Sequence, residues 1–436
     1  MSRSGAVMER VTPVVTKMAA PMLSRIAAPA LARVPEPEPP RVVPKLSTVL
    51  AVGGVASGVS MALASLGVAT YFARRVVTPE HEKKDDTWIV SVDDEEAGQD
   101  TITMVAAPHT LSPGRYGLWL EHGAGHARVG DVVSTDLSAR KATDRTVVRE
   151  LIDVDQGDLD PGPARWNSYY YCGDPGSAVG LDFDDVWVPS DIGDLPAWLV
   201  PPRSEEDRPD EWAVLVHGRS AKREETIRAL PVLHDLGFTS LVPMYRNDLG
   251  APPSIDGRYN LGLSEWRDVE AAISYAVSRG ARRVTLLGWS MGGAIVLQTL
   301  DRSDFARFVD RVVLDCPVID WGVVLTHNAD LNRIPRAASM LGKLLMGRKA
   351  TRHLVGVAEP LDIAVTNWVA RSDELKHPML LMHSRNDDVV PYGPSEELAA
   401  KRPDLITLDL WDGPLHCREW NTDRERWEQA VRDFLA

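Results

Sequence analysis

The stretch Arg283-Val-Thr-Leu-Leu-Gly288-Trp289-Ser290-Met291-Gly292-Gly293 decides the reading of this 436-residue chain. It passes from an apolar strand through Gly-x-Ser-x-Gly into an apolar helical segment over Gly292–Leu300. A serine at so tight a strand-to-helix turn is pushed into a strained backbone conformation, with its hydroxyl exposed above the sheet. Small residues at 288, 292 and 293 let the turn close without side-chain clashes. The helix N-terminus behind the serine favours negative charge developing on an attacked carbonyl. Ser290 is therefore the candidate nucleophile, and the backbone N–H of Met291 is one candidate oxyanion donor.

A serine is a poor nucleophile without a base. In a sheet of this kind the expected chain order is serine, then acid, then histidine. Met379-Leu-Leu-Met-His383-Ser-Arg-Asn-Asp387-Asp388-Val-Val-Pro391 reads as a buried strand ending in a carboxylate loop. Leu410-Trp-Asp-Gly-Pro-Leu-His416-Cys417 then places a histidine in the loop after the last strand. A carboxylate beside it would hold the imidazole in the right tautomer and stabilise its charged form. Asp387 and Asp388 compete for that role, and the spacing to Val390-Pro391 favours Asp387. The second oxyanion donor is expected after an earlier strand, Trp212-Ala-Val-Leu-Val216-His217-Gly218-Arg219, at the backbone N–H of Arg219. The Arg219 side chain reads as solvated, with an acidic substrate group as the alternative. A similar His122-Gly123-Ala124-Gly125 lacks a following helix and is set aside.

Outward from these motifs, residues 181–436 alternate strand-length apolar runs with helical segments. The runs are Ala213–Val216, Thr239–Pro243, Arg283–Leu287, Arg311–Asp315, Met379–Met382 and Ile406–Leu410. The helical segments include Glu224–Leu236, Ser264–Ser278, Ser395–Lys401 and Asp423–Leu435, with Ser264 as an N-cap. Such alternation predicts a mostly parallel sheet with helices on both faces.

With His217-Gly218, Pro243-Met-Tyr245-Arg246-Asn247 through Asp256-Gly257, Gly262-Leu-Ser-Glu265-Trp266-Arg-Asp268-Val-Glu270, the Ser290 turn, Asp387 with Val390-Pro391, and His416 in place, residues 181–436 resemble the α/β-hydrolase superfamily. The likeness is to its prolyl-oligopeptidase-like and bacterial esterase branches. It implies an α/β-hydrolase fold, a catalytic set of Ser290, Asp387 and His416, an oxyanion hole at Arg219 and Met291, and neither cofactor nor metal. It also implies a cap inserted over about 322–375, where Ile334–Leu345 is amphipathic and rich in leucine and methionine. Adaptable apolar side chains there suit an acyl chain. The family's acidic pair for gripping a peptide amine is not recognisable, and no β-propeller precedes the domain. The leading expectation is a carboxylic-ester hydrolase acting on a small-molecule ester or acyl substrate. A serine peptidase, an acyltransferase and a non-enzymatic binding module on the same fold are the alternatives.

Upstream, residues 1–45 read as a flexible basic tail, with seven cationic side chains against three acids and a run of prolines ending at Pro44. Residues 46–73 carry no charge and are long enough to span a bilayer as a helix, flanked by Lys45 and Arg74-Arg75. A single-pass membrane protein is expected on that ground, with the bilayer as a partner and Gly54/Gly58 as a weak homodimer motif. Flanking charges of three against four do not choose a side for the catalytic domain. Residues 74–180 read as a linker and a small β-rich module, with strands at Thr101–Ala106, Tyr116–Glu121 and Thr146–Val154. His122 and His126 are not expected to bind metal, because Gly123 and Gly125 keep them off a shared helix face.

The formal charge of −14 argues against a nucleic-acid partner. Only Cys172, Cys316 and Cys417 occur, none in a Cys-x-x-Cys pair, so the spacing signals neither a disulfide scaffold nor a zinc site.

Overall fold

The computed structural model describes residues 58–81, 83–93, 100–204, 208 and 210–436. The basic tail, residues 46–57 of the expected span, and Gly54 lie outside the described residues.

Among the described residues, fourteen strands form two sheets. β1 (Thr87–Asp93), β2 (Thr101–Val105), β3 (Tyr116–Leu120), β4 (Gly125–Asp136), β5 (Thr146–Gln156) and β6 (Gly162–Asn167) close into an antiparallel barrel in the order β1-β2-β5-β4-β3-β6. Ile89, Ile102, Met104, Leu118, Val129 and Val147 fill it, each at an inward position of an alternating strand. Arg149 is fully buried in the same interior.

The second sheet contains β7 (Asp184–Ser190), β8 (Gly193–Val200), β9 (Glu211–Val216), β10 (Thr239–Pro243), β11 (Arg283–Trp289), β12 (Val309–Asp315), β13 (Met379–Ser384) and β14 (Ile406–Trp411), in the order β14-β13-β12-β11-β9-β10-β8-β7. The six strands from β14 to β10 are parallel, and the β7–β8 hairpin adds antiparallel at one edge. Apart from Arg283, β11 is buried along its whole length. Its residues divide by alternation, Val284 and Leu286 joining one core and Leu287 and Trp289 the other. Helices Trp266–Ser278 and Met291–Arg302 cover the first face, and Leu230–Asp235 and Arg424–Leu435 the second. Between β12 and β13 run the helices Trp321–Leu331, Arg336–Gly347 and Arg352–Val355.

One expectation finds no support and two are corrected. First, no helix among the described residues is long and apolar enough to cross a membrane. The helix Gly58–Val77 contains the second half of the expected span, yet Ala69, Ala73 and Val77 are fully buried and Phe72 nearly so, within the same core as the sheet. A Cβ on Gly342 of the neighbouring helix would stand 3.2 Å from the Ala69 carbonyl and 3.8 Å from the Ala73 Cβ. Small uncharged residues permit such close helix contact as readily as they suit lipid, so the uncharged run alone does not separate the two. Second, Ser264 is not a helix cap. The helix begins at Trp266, and the buried Glu265 carboxylate instead accepts the N–H groups of Asn260, Gly262 and Ser264. Third, Glu224–Leu236 is not one helix but a 3₁₀ segment, Arg223–Ala229, followed by Leu230–Asp235. Pro231 has no N–H to carry an α-helical ladder through the junction.

Candidate active site

β11 runs between β9 and β12, and Gly288 lies level with Val216 and Leu314 near the carboxyl ends of all three. There the chain reverses into helix Met291–Arg302 through Ser290, whose φ of 52° and ψ of −115° are strained for a residue with a side chain. A Cβ on Gly292 would sit 2.1 Å from the Val216 carbonyl oxygen, so only glycine fits. The strain is held from both sides. Ser290 N–H donates to the Asp315 carbonyl at 3.0 Å, and the Ser290 carbonyl accepts the N–H groups of Gly293 and Val318, each at 3.1 Å.

The structure brings Ser290, His416 and Asp387 into one line. His416 Nε2 is 2.8 Å from Ser290 Oγ, and His416 Nδ1 is 2.7 Å from Asp387 Oδ2. The other Asp387 oxygen, Oδ1, accepts the N–H groups of Val389 and Val390 at 2.8 and 2.7 Å. Burial pushes the Asp387 carboxyl up, but adjacent His416 and the hydrogen bond from His383 outweigh it and hold the group well below the usual carboxylate range. Burial likewise disfavours a charged His416, and the neighbouring Cys417 and Asp387 outweigh it, raising the imidazole well above its ordinary value. Asp388 is exposed and touches His416 only at its backbone N–H, 3.5 Å from Oδ1.

Gly218 abuts the serine, its hypothetical Cβ falling 3.3 Å from Ser290 Cβ. Neither the Arg219 nor the Met291 backbone N–H has a hydrogen-bond partner among the described residues. The loop that carries Arg219 is braced by groups to which the sequence assigned no such role. Gly218 N–H donates to Glu225 Oε2 at 2.7 Å, and Tyr245 Oη donates to the Gly218 carbonyl at 2.8 Å. His217 stacks on Tyr245 and bonds Asp248 at 2.8 Å. The Arg219 side chain, 25% exposed, is held by main-chain carbonyls rather than left free in solvent or for substrate. It donates to the Arg75, Val76 and Thr78 carbonyls, each at 2.9 Å, and so closes the C-terminus of helix Gly58–Val77.

Sequence reasoning also passed over His383. It is fully buried, with Nδ1 2.8 Å from Ser395 Oγ and Nε2 3.0 Å from the Val390 carbonyl and 3.2 Å from Asp387 Oδ2. A histidine at the end of an otherwise apolar strand was the available signal. The decoy histidines lie in the barrel, His122 2.5 Å from Asp85 and buried His126 2.7 Å from Asp155.

The model of the "Alpha/beta hydrolase family" matches residues 213–434, just over half of the chain. The chain belongs to the α/β-hydrolase family. The barrel coincides with a match at residues 89–167 to a domain of unknown function, DUF8805. In sequence the chain is similar to the uncharacterized protein YqkD of Bacillus subtilis, 24% identical over 57% of this chain and 77% of YqkD. Among solved structures, the esterase Pf2001 of Pyrococcus furiosus is similar at 17% identity and a TM-score of 0.46, over 61% of this chain and 93% of the esterase. An esterase from Exiguobacterium antarcticum is similar at 15% identity and a TM-score of 0.41, over 58% and 99% of the two chains.

Proposed function

We propose that this hydrolase-family chain is a serine hydrolase that cleaves carboxylic esters through an acyl-enzyme. The observation that carries the reading is the continuous bond line from Ser290 Oγ through His416 to Asp387, at 2.8 and 2.7 Å. Ser290 Oγ attacks the ester carbonyl as His416 Nε2 takes its proton, and Asp387 stabilises the imidazolium that forms. The unpartnered N–H groups of Arg219 and Met291 receive the oxyanion. His416 then protonates the departing alcohol, and water released onto the acyl carbon by the same base frees Ser290. The braces on Gly218 from Glu225 and Tyr245 support a donor fixed before substrate arrives, which is where electrostatic catalysis gains most.

A fluorophosphonate probe, which phosphonylates an activated serine with loss of fluoride, is expected to label the full chain and to fail on Ser290→Ala. Turnover is then compared across esters of increasing acyl length and across aminoacyl amides. Labelling that persists in the variant would remove Ser290 from the reaction. Faster turnover of aminoacyl amides than of any ester would replace the esterase reading with the peptidase one.

A further inference from the structure

Behind His416 the fold assembles a cluster that the proposed reaction does not use. Cys316 follows β12 and Cys417 follows His416, so residues 101 apart in the chain meet in the core, 0% and 4% exposed. Cys417 Sγ lies 3.7 Å from His416 Nε2, and the sulfurs of Cys316 and Cys417 and a ring nitrogen of His416 all lie within 4.8 Å of one another. Both cysteines have positive φ, 46° and 51°, a cost for residues with a side chain that the surrounding packing maintains. Glu419, fully buried, bonds Cys316 Sγ through Oε1 at 3.0 Å, while its Oε2 has no partner among the described residues. Cys316 belongs to all three groups of converging donor atoms found among the described residues. Of these, only the set with Cys417 and His416 pairs two sulfurs with a ring nitrogen, a donor set that selects soft or borderline cations such as zinc.

We propose that Cys316, Cys417 and His416 form a binding site for a zinc-like divalent cation, and that its occupancy silences the catalytic serine. The inference rests on the esterase reading for its consequence, though not for the site itself. Zinc bonds of about 2.3 Å to sulfur and about 2.0 Å to nitrogen place such ligands roughly 3.5 Å apart in a tetrahedron. The observed 3.7 Å between Cys417 Sγ and His416 Nε2 is close to that edge. Binding forms two metal–sulfur bonds and one metal–nitrogen bond, and the two thiol protons pass to water; nothing is oxidised. In His416, Nδ1 faces Asp387, and the Nε2 lone pair, 2.8 Å from Ser290 Oγ and 3.7 Å from Cys417 Sγ, would leave the serine for the cation, giving the carboxylate–histidine–metal arrangement of many zinc sites. That lone pair is the one that must accept the Ser290 proton, so a bound cation and a working base exclude each other. The sequence spacing hid the site, because Cys316 lies 101 residues before Cys417, the neighbour of His416, and no Cys-x-x-Cys pair marks either end.

The test uses the full chain, kept reduced with a non-thiol reductant, and titrates cobalt(II) and zinc(II) separately. Cobalt is expected to give a thiolate-to-metal charge-transfer band, and zinc to abolish ester turnover and fluorophosphonate labelling until a chelator restores both. Cys417→Ser and Cys316→Ala, made separately, should each weaken the band and raise the zinc needed for half-inhibition by about tenfold or more, as expected when a coordinating contact is lost. Absence of the band in the wild-type chain overturns the site. Equal zinc sensitivity in wild type and both variants overturns it too, since the inhibition would then arise elsewhere. A band with undiminished turnover overturns the silencing. If the chain hydrolyses no ester at all, the function proposed above fails, while the cobalt band still decides the site.

Discussion

The barrel and the parallel sheet both bury charged side chains, and the way each satisfies them separates structure from chemistry. In the barrel, Arg149 spends all five of its N–H donors on main-chain carbonyls, those of Thr110, Ser112, Gly114 and Gly130, with Gly130 accepting twice. Burial pulls its guanidinium down to about 10 against weak help from Tyr116, Asp131 and Glu150. Nothing is left over for a ligand. In the parallel sheet the buried groups gather where strands end, and beside them the partly buried His416 keeps a ring nitrogen aimed at a hydroxyl. A closed antiparallel barrel offers no row of strand ends pointing the same way; a parallel sheet does, which is why sites collect at its carboxyl edge. A fully spent buried charge holds the fold. One with a nitrogen left facing a hydroxyl is free for the proton transfer proposed above.

The largest expected effect comes from removing that nucleophile. Ser290→Ala should lower kcat/KM for an activated ester on the order of 10⁴-fold or more, with an unchanged urea unfolding midpoint. A variant retaining a tenth of wild-type activity would end the assignment. Next, Asp387→Asn should cost about 10⁴-fold, because the amide can offer its N–H to the ring and fix the wrong tautomer. Asp388→Asn, exposed and bonded only to a backbone N–H, should change stability by no more than roughly 1 kcal/mol and leave turnover near wild type. The pair carries a pH signature as well. His416 is raised above its ordinary value partly by Asp387, so the rising limb of the wild-type profile should lie above pH 6.5. Loss of the carboxylate removes that support, and the residual activity of Asp387→Asn should rise at lower pH. A limb that stays in place would mean that Asp387 does not face the base.

The sheet was legible because its strands are buried on both faces and stand out as apolar runs between turn residues, as Thr239–Pro243 does at identical boundaries. The same holds for the Ser290 turn, where glycine spacing is dictated by contacts as close as the one at Gly292. The β7–β8 hairpin was not read, because Asp184, Asp185, Gly193 and Asp194 dilute its apolar signal at an edge where solvent tolerates them. Much of the barrel also escaped: β1, β4 and β6 have ordinary half-polar alternation, and closure depends on pairings such as Ile89 with Gly162 that no local pattern encodes. Glu225 and the cysteine pair were invisible for a shared reason, since each matters through a partner on another element, whereas His383, four residues before Asp387, left its signal at the end of an apolar strand.

Arg149→Met probes the barrel side of the comparison. It should destabilise the chain by about 3 kcal/mol, since several buried carbonyls lose their donor and the methionine regains only part of the packing. Turnover by the molecules that remain folded should be unchanged within twofold or so. Urea unfolding followed beside active-site titration separates the two quantities. A loss of activity per folded molecule would show that the barrel's buried charge reaches the site after all.

The smallest effect tests where the helix Gly58–Val77 lies. Ala73 is fully buried, and its Cβ is 3.8 Å from where a Cβ on Gly342 would stand. Leucine there adds three carbons to a contact with no room, so Ala73→Leu should cost about 1–3 kcal/mol through overpacking. At a lipid-facing position the same change would be favourable, because leucine partitions into hydrocarbon better than alanine. The opposite sign makes the measurement decisive between a helix packed on the catalytic domain and one immersed in a bilayer. Tyr71, 57% exposed on the same helix, serves as the control, and Tyr71→Leu should stay within about 0.5 kcal/mol of wild type. Denaturant midpoints of the three proteins, read by the same probe, give the ranking. Ala73→Leu at or above wild-type stability would return this turn of the helix to the membrane.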